Sequence, residues 1–262
     1  MDSTNASTAS LISTADQATL DLFASICDRT AEVVGANADW GASGLRDGQY
    51  NVDLEVDAVC VGPLLAAGYD VLSEESGVQH AQGSDGRSIV VCDPLDGSTN
   101  ASLGLPWCAT ALCLVSNGVP TVAMVSNLAT GDRYSAVKDR GANRNGQPIL
   151  VGASTPLEDA IVAMNGLPAA NWGWRQFRAM GAAALDIAAV ARGGFDGYVD
   201  TTTDSHGVWD YLASVLILEE AGGAAIDAAG RDLTVLEHDA RRTPIVASNR
   251  ALLDVLLAAR SR

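Results

Sequence analysis

The sequence predicts a mixed α/β fold of the α+β kind. Two segments with helical period open the chain, from Leu11 to about Gly35 and from Asn51 to Ala67. Short alternating strands separated by turn residues fill the middle, from Ala109 to Val137. Beyond Gly152–Pro156 the pattern changes to strands alternating with helices. The 262 residues are enough for one large domain or two small ones. The division expected is a disordered stretch over 1–10, an α+β domain over 11–152 and an α/β domain over 153–262.

Taken in order, residues 1–10 are small and polar, with no basic start and no apolar signal core. In the first helix Leu11, Ala15, Ala18, Leu22 and Ile26 follow helical spacing, and Gly35 with Asn37 supplies a stop. Ala36–Gly48 reads as a loop, with Arg46 either solvated or near an anion. In the second helix Asp53 and Asp57 lie one turn apart and share a face. Two like charges at that spacing cost a few tenths of a kcal/mol, which a solvated surface tolerates. Val71-Leu72 is a short strand leading to Glu74 and Glu75.

Ser88–Cys92 contains four apolar residues in a row and reads as a buried strand, expected to end at Asp93 because Pro94 and Gly97 follow. Strands follow over Ala109–Val115, Val119–Val125 and Arg133–Val137, joined by Asn117-Gly118 and Thr130-Gly131-Asp132. Gly141–Pro148 reads as a further turn region. A largely antiparallel sheet results, with both N-terminal helices on one face. In the C-terminal part, strands are expected at Ala160–Met164, Phe195–Val199, Ala224–Ile226 and Ile245–Ala247. Helices are expected at Ala182–Ala191, Trp209–Ala221 and Ala251–Ala259.

Composition narrows the function. The net charge is −16, with 32 acidic against 16 basic residues and a single lysine, Lys138. Such a surface repels nucleic acid and anionic membrane, and an anionic substrate needs cations to reverse the local sign. No apolar run reaches the roughly 18 residues of a membrane span. The five cysteines are odd in number and lack Cys-x-x-Cys spacing. The three histidines lack a second ligand at zinc spacing, and His206 reads as a surface-loop residue or one near a site. A cytoplasmic protein is expected.

The chemistry concentrates in Asp93-Pro94-Leu95-Asp96-Gly97-Ser98-Thr99-Asn100. Two carboxylates three residues apart on a tight turn repel unless a cation lies between them. Oxygen ligands favour Mg²⁺ or Mn²⁺. Gly97 lets the backbone approach a ligand closely, and with Ser98 as a helix cap the following amides form an anion site. An Asp-Gly turn with a cap is the plainer reading of those residues alone.

This octet resembles the signature of the inositol monophosphatase family, within the metal-dependent, lithium-sensitive phosphatases that include fructose-1,6-bisphosphatases. Leu72–Gly77 resembles the family's Glu-Glu segment, and Asp53 with Asp57 its upstream acidic segment. Trp209–Ala213 followed by Glu220-Ala221-Gly222-Gly223 resembles its Trp-Asp motif. The resemblance runs from about Arg46 to about Gly223. It implies a layered α-β-α-β-α sandwich of the sugar-phosphatase type. It also implies Mg²⁺-dependent hydrolysis of a phosphate monoester by a cytoplasmic homodimer.

The resemblance further implies two or three Mg²⁺ ions, or Mn²⁺ in their place. Asp93 is then the bridging ligand, Glu74 and the Leu95 carbonyl complete one site, and Asp96 and Asp210 the second. Glu74, Asp53 and Ser98 become the catalytic set, with Asp53 holding the Ser98 hydroxyl that orients water. Gly97 and Ser98 amides hold phosphate, Ala183 lines the substrate, and Asp200 binds its hydroxyls. Asp200 is shorter than the family's usual Glu, Thr201–His206 is longer than usual, and Ser98 replaces the commoner Thr. The expected substrate is a small polyol or sugar phosphate such as inositol 1-phosphate. Fructose 1,6-bisphosphate, histidinol phosphate and nucleotide bisphosphates are alternatives. In a different class, the chain is a non-catalytic metal- or phosphate-binding regulator.

Overall fold

Ser13 opens the first helix: its hydroxyl accepts from the Asp16 amide at 3.1 Å and so caps α1, Thr14–Ala36. The computed structural model describes residues 12–46 and 48–260, and the expected disorder of 1–10 lies outside them. In α2, Asn51–Ala66, the Asp53 carboxylate turns back to accept from the Tyr50 amide at 2.8 Å. An acid in the first turn suits the exposed amides there.

The next strands are β1, Asp70–Ser73, β2, Gly77–Gln79, and β3, Ser88–Asp96. A short helix α3, Ser98–Ser102, separates β3 from β4, Ala109–Ser116. Then come β5, Val119–Asn127, β6, Arg133–Val137, β7, Ala142–Arg144, and β8, Gln147–Ile149. These strands form one eight-stranded sheet in the order β2-β1-β3-β4-β5-β6-β7-β8, parallel only between β1 and β3. Asn117 and Gly118 both have positive φ, as a two-residue hairpin needs. Asn145-Gly146 does the same for the β7–β8 hairpin, where the sequence had suggested only a turn region.

β3 does not end at Asp93. Its ladder to β4 shifts register between Asp93 and Asp96 and then resumes. Pro94 sits in that bulge, where no ladder donor is required, and its carbonyl accepts from Thr110 Oγ1 at 2.9 Å.

The second sheet holds β9, Ile161–Asn165, β10, Gln176–Arg178, β11, Gly197–Asp200, β12, Ala224–Asp227, and β13, Pro244–Ala247. Its order is β10-β9-β11-β13-β12. The helices are α4, Ala183–Ala191, α5, Leu212–Glu220, and α6, Arg250–Arg260. The single helix expected over Trp209–Ala221 is instead a 3₁₀ turn, Val208–Asp210, followed by α5, with Tyr211 at φ −133° between them. The three-residue strands β2 and β10 are too short to show an alternating pattern.

Phe23, Ile26, Cys60 and Leu64 of the first two helices pack on Val90, Leu112 and Met124. Across the same sheet, Ala111 and Val125 face Ile187 of α4 and Leu216 of α5, which also meet Tyr198 and Val246 of the second sheet. Leu252, Leu253 and Leu256 of α6 cover the far face against Val162, Val199 and Ile245. The layers run α-β-α-β-α. Helix α4 is buried along its whole length because it lies between two sheets, which is why it is apolar on every face apart from Asp186. Each buried Leu or Ile in these layers contributes about 1.5–3 kcal/mol. The sheets change over between Ile149 and Ile161, yet the middle core is continuous across both. Among the described residues no helix is long and apolar enough to cross a membrane.

Candidate metal centre

Gly97 adopts φ +80°, and a Cβ there would lie 2.9 Å from the Trp107 carbonyl oxygen and 3.0 Å from Ala182 Cβ. Only glycine allows that approach to the start of α4. Gly97 itself is the N-cap of α3, and Ser98 is the first helical residue rather than the cap expected from the sequence. Asn100 fastens the octet down by donating to the carbonyls of Trp107 at 2.8 Å and Met180 at 2.7 Å. The Ala184 amide donates to Asp96 Oδ2 at 2.8 Å, and the Leu95 amide to Asp93 Oδ1 at 3.1 Å.

Three carboxylates converge here. Glu74 follows β1, Asp93 lies on β3 and Asp210 ends the 3₁₀ turn before α5. Their ligand atoms all lie within 4.8 Å of one another. Asp93 is 1% exposed, and its Oδ2 is buried with no hydrogen-bond partner. Burial raises the Asp93 pKa well above the usual carboxylate range, and Glu74, Asp96 and Asp210 raise it further. Burial and then Asp210 do the same to Asp96. Burial, Asp210 and Glu75 raise Glu74. An orphaned buried carboxylate oxygen among three like-charged neighbours is what a hard divalent cation satisfies, so the residues fit Mg²⁺ or Mn²⁺. Asp210 is steadied by the Gly207 amide, which donates to its Oδ2 at 2.8 Å.

The other expected residues are placed differently. Asp53 is buried, and burial pushes its pKa up to about 6. Its Oδ2 is taken by the Tyr50 amide, Oδ1 has no partner, and no hydrogen bond joins it to Ser98 among the described residues. The expected Asp53–Ser98 pair is therefore not formed, because the carboxylate closes the first turn of α2. Asp57 accepts from the Ser73 hydroxyl and stands apart from the three converging carboxylates. Arg46 is exposed to solvent, as one sequence reading had it, but not free: it pairs with Glu74 Oε1 at 3.2 Å and with Glu75 at 2.9 Å. Gln49 also donates to Glu75.

Asp200 is not open to a substrate. It is fully buried, and its oxygens accept from Asn165 Nδ2, the Thr202 amide, Ser205 Oγ and His206 Nδ1 at 2.7–3.1 Å. Its role is to position His206, which is buried rather than on a surface loop and also meets the Tyr198 hydroxyl at 2.9 Å. Ala183 does line a cavity of ≈ 250 Å³ that opens beside Asp96 and Asp210. Sequence reasoning missed the polar groups in its wall, Asn165, Asp186, Ser205 and Tyr198. One signal was present: Asp186 is the only charged residue in the apolar stretch Ala183–Ala191.

The profile of the inositol monophosphatase family matches residues 12–262. The chain belongs to the inositol monophosphatase family. An inositol-1-monophosphatase of Rhizobium meliloti is 35% identical over 177 residues, which is 62% of this chain and 64%, under two thirds, of that protein. A fructose-1,6-bisphosphatase/inositol-1-monophosphatase of Thermococcus kodakarensis is 33% identical over 86% of this chain and 87% of that one. The crystal structure of the extragenic suppressor protein suhB from Bartonella henselae superposes with a TM-score of 0.78 at 25% identity, covering 94% of this chain and 99% of its own. Inositol monophosphatase family proteins are generally metal-dependent, and the converging carboxylates supply a place for the cation.

Proposed function

We propose that the protein is a Mg²⁺-dependent phosphate monoester hydrolase of the inositol-1-phosphatase type. The observation that carries this reading is the unpartnered, buried Asp93 Oδ2 at the meeting point of Glu74, Asp93 and Asp210. Glu74, Asp93, Asp96 and Asp210, with the Leu95 carbonyl, hold two or three cations, Mg²⁺ or Mn²⁺. Bound there, the cations neutralise phosphate charge and acidify water. Ser98, at the start of α3, orients the attacking water. The amides of Gly97 and Ser98 face the phosphate. Water attacks phosphorus, the ester P–O bond breaks, and the alcohol leaves with a proton.

The test is phosphate release from inositol 1-phosphate, fructose 1,6-bisphosphate, histidinol phosphate and adenosine 3′,5′-bisphosphate. Each is run with and without Mg²⁺ and with added Li⁺. Mg²⁺-dependent release suppressed by Li⁺ is expected. No release from any ester, with Mg²⁺ still raising the melting temperature, would instead identify a non-catalytic metal-binding homologue.

A further inference from the structure

Asp186 stands out among the buried ionisable groups left without a role. It is 1% exposed and sits on the first turn of α4. Its Oδ1 accepts from Trp107 Nε1 at 2.9 Å, while Oδ2 has no partner in the protein among the described residues. The residue lines the cavity beside Asp96 and Asp210. That oxygen is not sealed off by protein: it is open to the cavity and to a hydrogen-bonding group on a ligand there. Burial has already pushed this carboxyl up to about 8.

The placement is fixed relative to the cation site, because the Ala184 amide two residues earlier in α4 binds Asp96. With the phosphate at the proposed cation site, this cavity is the space open beside Asp96 and Asp210 to the organic half of the ester. Its wall carries Asp96, Asp186 and Asp210, and His206, itself held by Asp200, is the only basic group; no Lys or Arg lines it. A second phosphate would find no guanidinium or ammonium in this wall to pair with.

We infer that Asp186 is the group that reads the leaving alcohol, exchanging a hydrogen bond through Oδ2 with a hydroxyl of a polyol monophosphate, and that the cavity rejects bisphosphates. This rests on the phosphatase reading above and deepens it. A site built to bond a hydroxyl discriminates strongly against an ester that lacks one.

The experiment compares kcat/KM for inositol 1-phosphate, 4-nitrophenyl phosphate and fructose 1,6-bisphosphate in the wild type, Asp186→Ala and Asp186→Asn. The second variant keeps the volume and covers a failure of the first to fold, with melting temperatures recorded for both. The ratio of inositol 1-phosphate to 4-nitrophenyl phosphate should fall about tenfold in the variants. In the wild type the bisphosphate should lie at least about tenfold below inositol 1-phosphate. Equal losses on both monoesters, no loss at all, or wild-type parity between bisphosphate and monophosphate would each overturn the assignment while leaving a working phosphatase. A wild type that hydrolyses none of the three overturns the phosphatase reading itself, and the assignment with it.

Discussion

His238 Nε2 lies 3.1 Å from the carbonyl oxygen of Glu74. The same imidazole packs on Trp209 with ring centroids 4.9 Å apart, and Trp209 directly precedes Asp210. One side chain from the C-terminal region thus presses the Glu74 segment against the Asp210 segment. Arg46 Nη1 reaches the same carbonyl at 3.3 Å from the other side. Partners of this kind hold ligands in register, and their loss typically lowers metal affinity 10–100-fold. His238→Ala should therefore weaken Mn²⁺ binding about tenfold in a calorimetric titration. Wild-type affinity in that variant would show that Arg46 and the strand alone suffice.

Asp93→Asn and Asp210→Asn should abolish turnover and cation binding while leaving the fold intact. The metal-free variants should melt at or above the wild-type temperature, because each removes a charge from a buried cluster of like charges. Unchanged kcat in either variant would contradict the assignment of the cation site.

Gly97→Ala should destabilise the protein by about 2 kcal/mol or more and remove activity. A Cβ at φ +80° meets the Trp107 carbonyl at 2.9 Å, and backbone cannot step aside cheaply. Denaturant unfolding alongside a phosphate-release assay checks both effects.

The pH dependence of stability should change sign with metal. Burial raises Asp53 to about 6 and Asp186 to about 8, both above their unfolded values near 4. For a raised carboxyl, stability is fully present below the unfolded pKa and is lost as pH rises through the folded one. The metal-free protein should therefore lose stability between about pH 4 and about pH 8. Asp227 works the other way. Burial alone would raise it, but Arg231 and backbone donors hold it at about 2, so its contribution is lost as pH falls towards that value. Cations bind the ionised carboxylates, so the melting-temperature gain from excess Mg²⁺ should be larger near pH 8 than near pH 5. An equal gain at both would argue against the carboxylates as the binding site.

Helix α1 was legible because its apolar residues recur at a helical period, but the Ser13 cap that starts it was not singled out in the sequence. β6 was legible end to end, and the Asn117-Gly118 turn announced its hairpin. β3 was cut short in the sequence reading because Pro94 normally ends a strand. Opposite β4 the ladder bulges around it and resumes at Asp96, a choice made by the partner strand. β10 pairs with β9 through three residues, too few to leave a pattern.

The sequence by itself determined which residues carry charge next to turns, strands and caps: the octet, Glu74 with its neighbour, and Asp210 beside Trp209. These patterns are local, set by spacing and backbone preference. Only the tertiary structure decided which carboxylate oxygens are consumed and which remain open. Asp53 gives Oδ2 to Tyr50, Asp200 spends both oxygens on four donors, and Asp186 keeps one oxygen toward the cavity. The physical reason is competition for hydrogen bonds in a buried space. Its outcome depends on donors such as Trp107, Asn165 and His206, which approach these carboxylates only once the layers have packed.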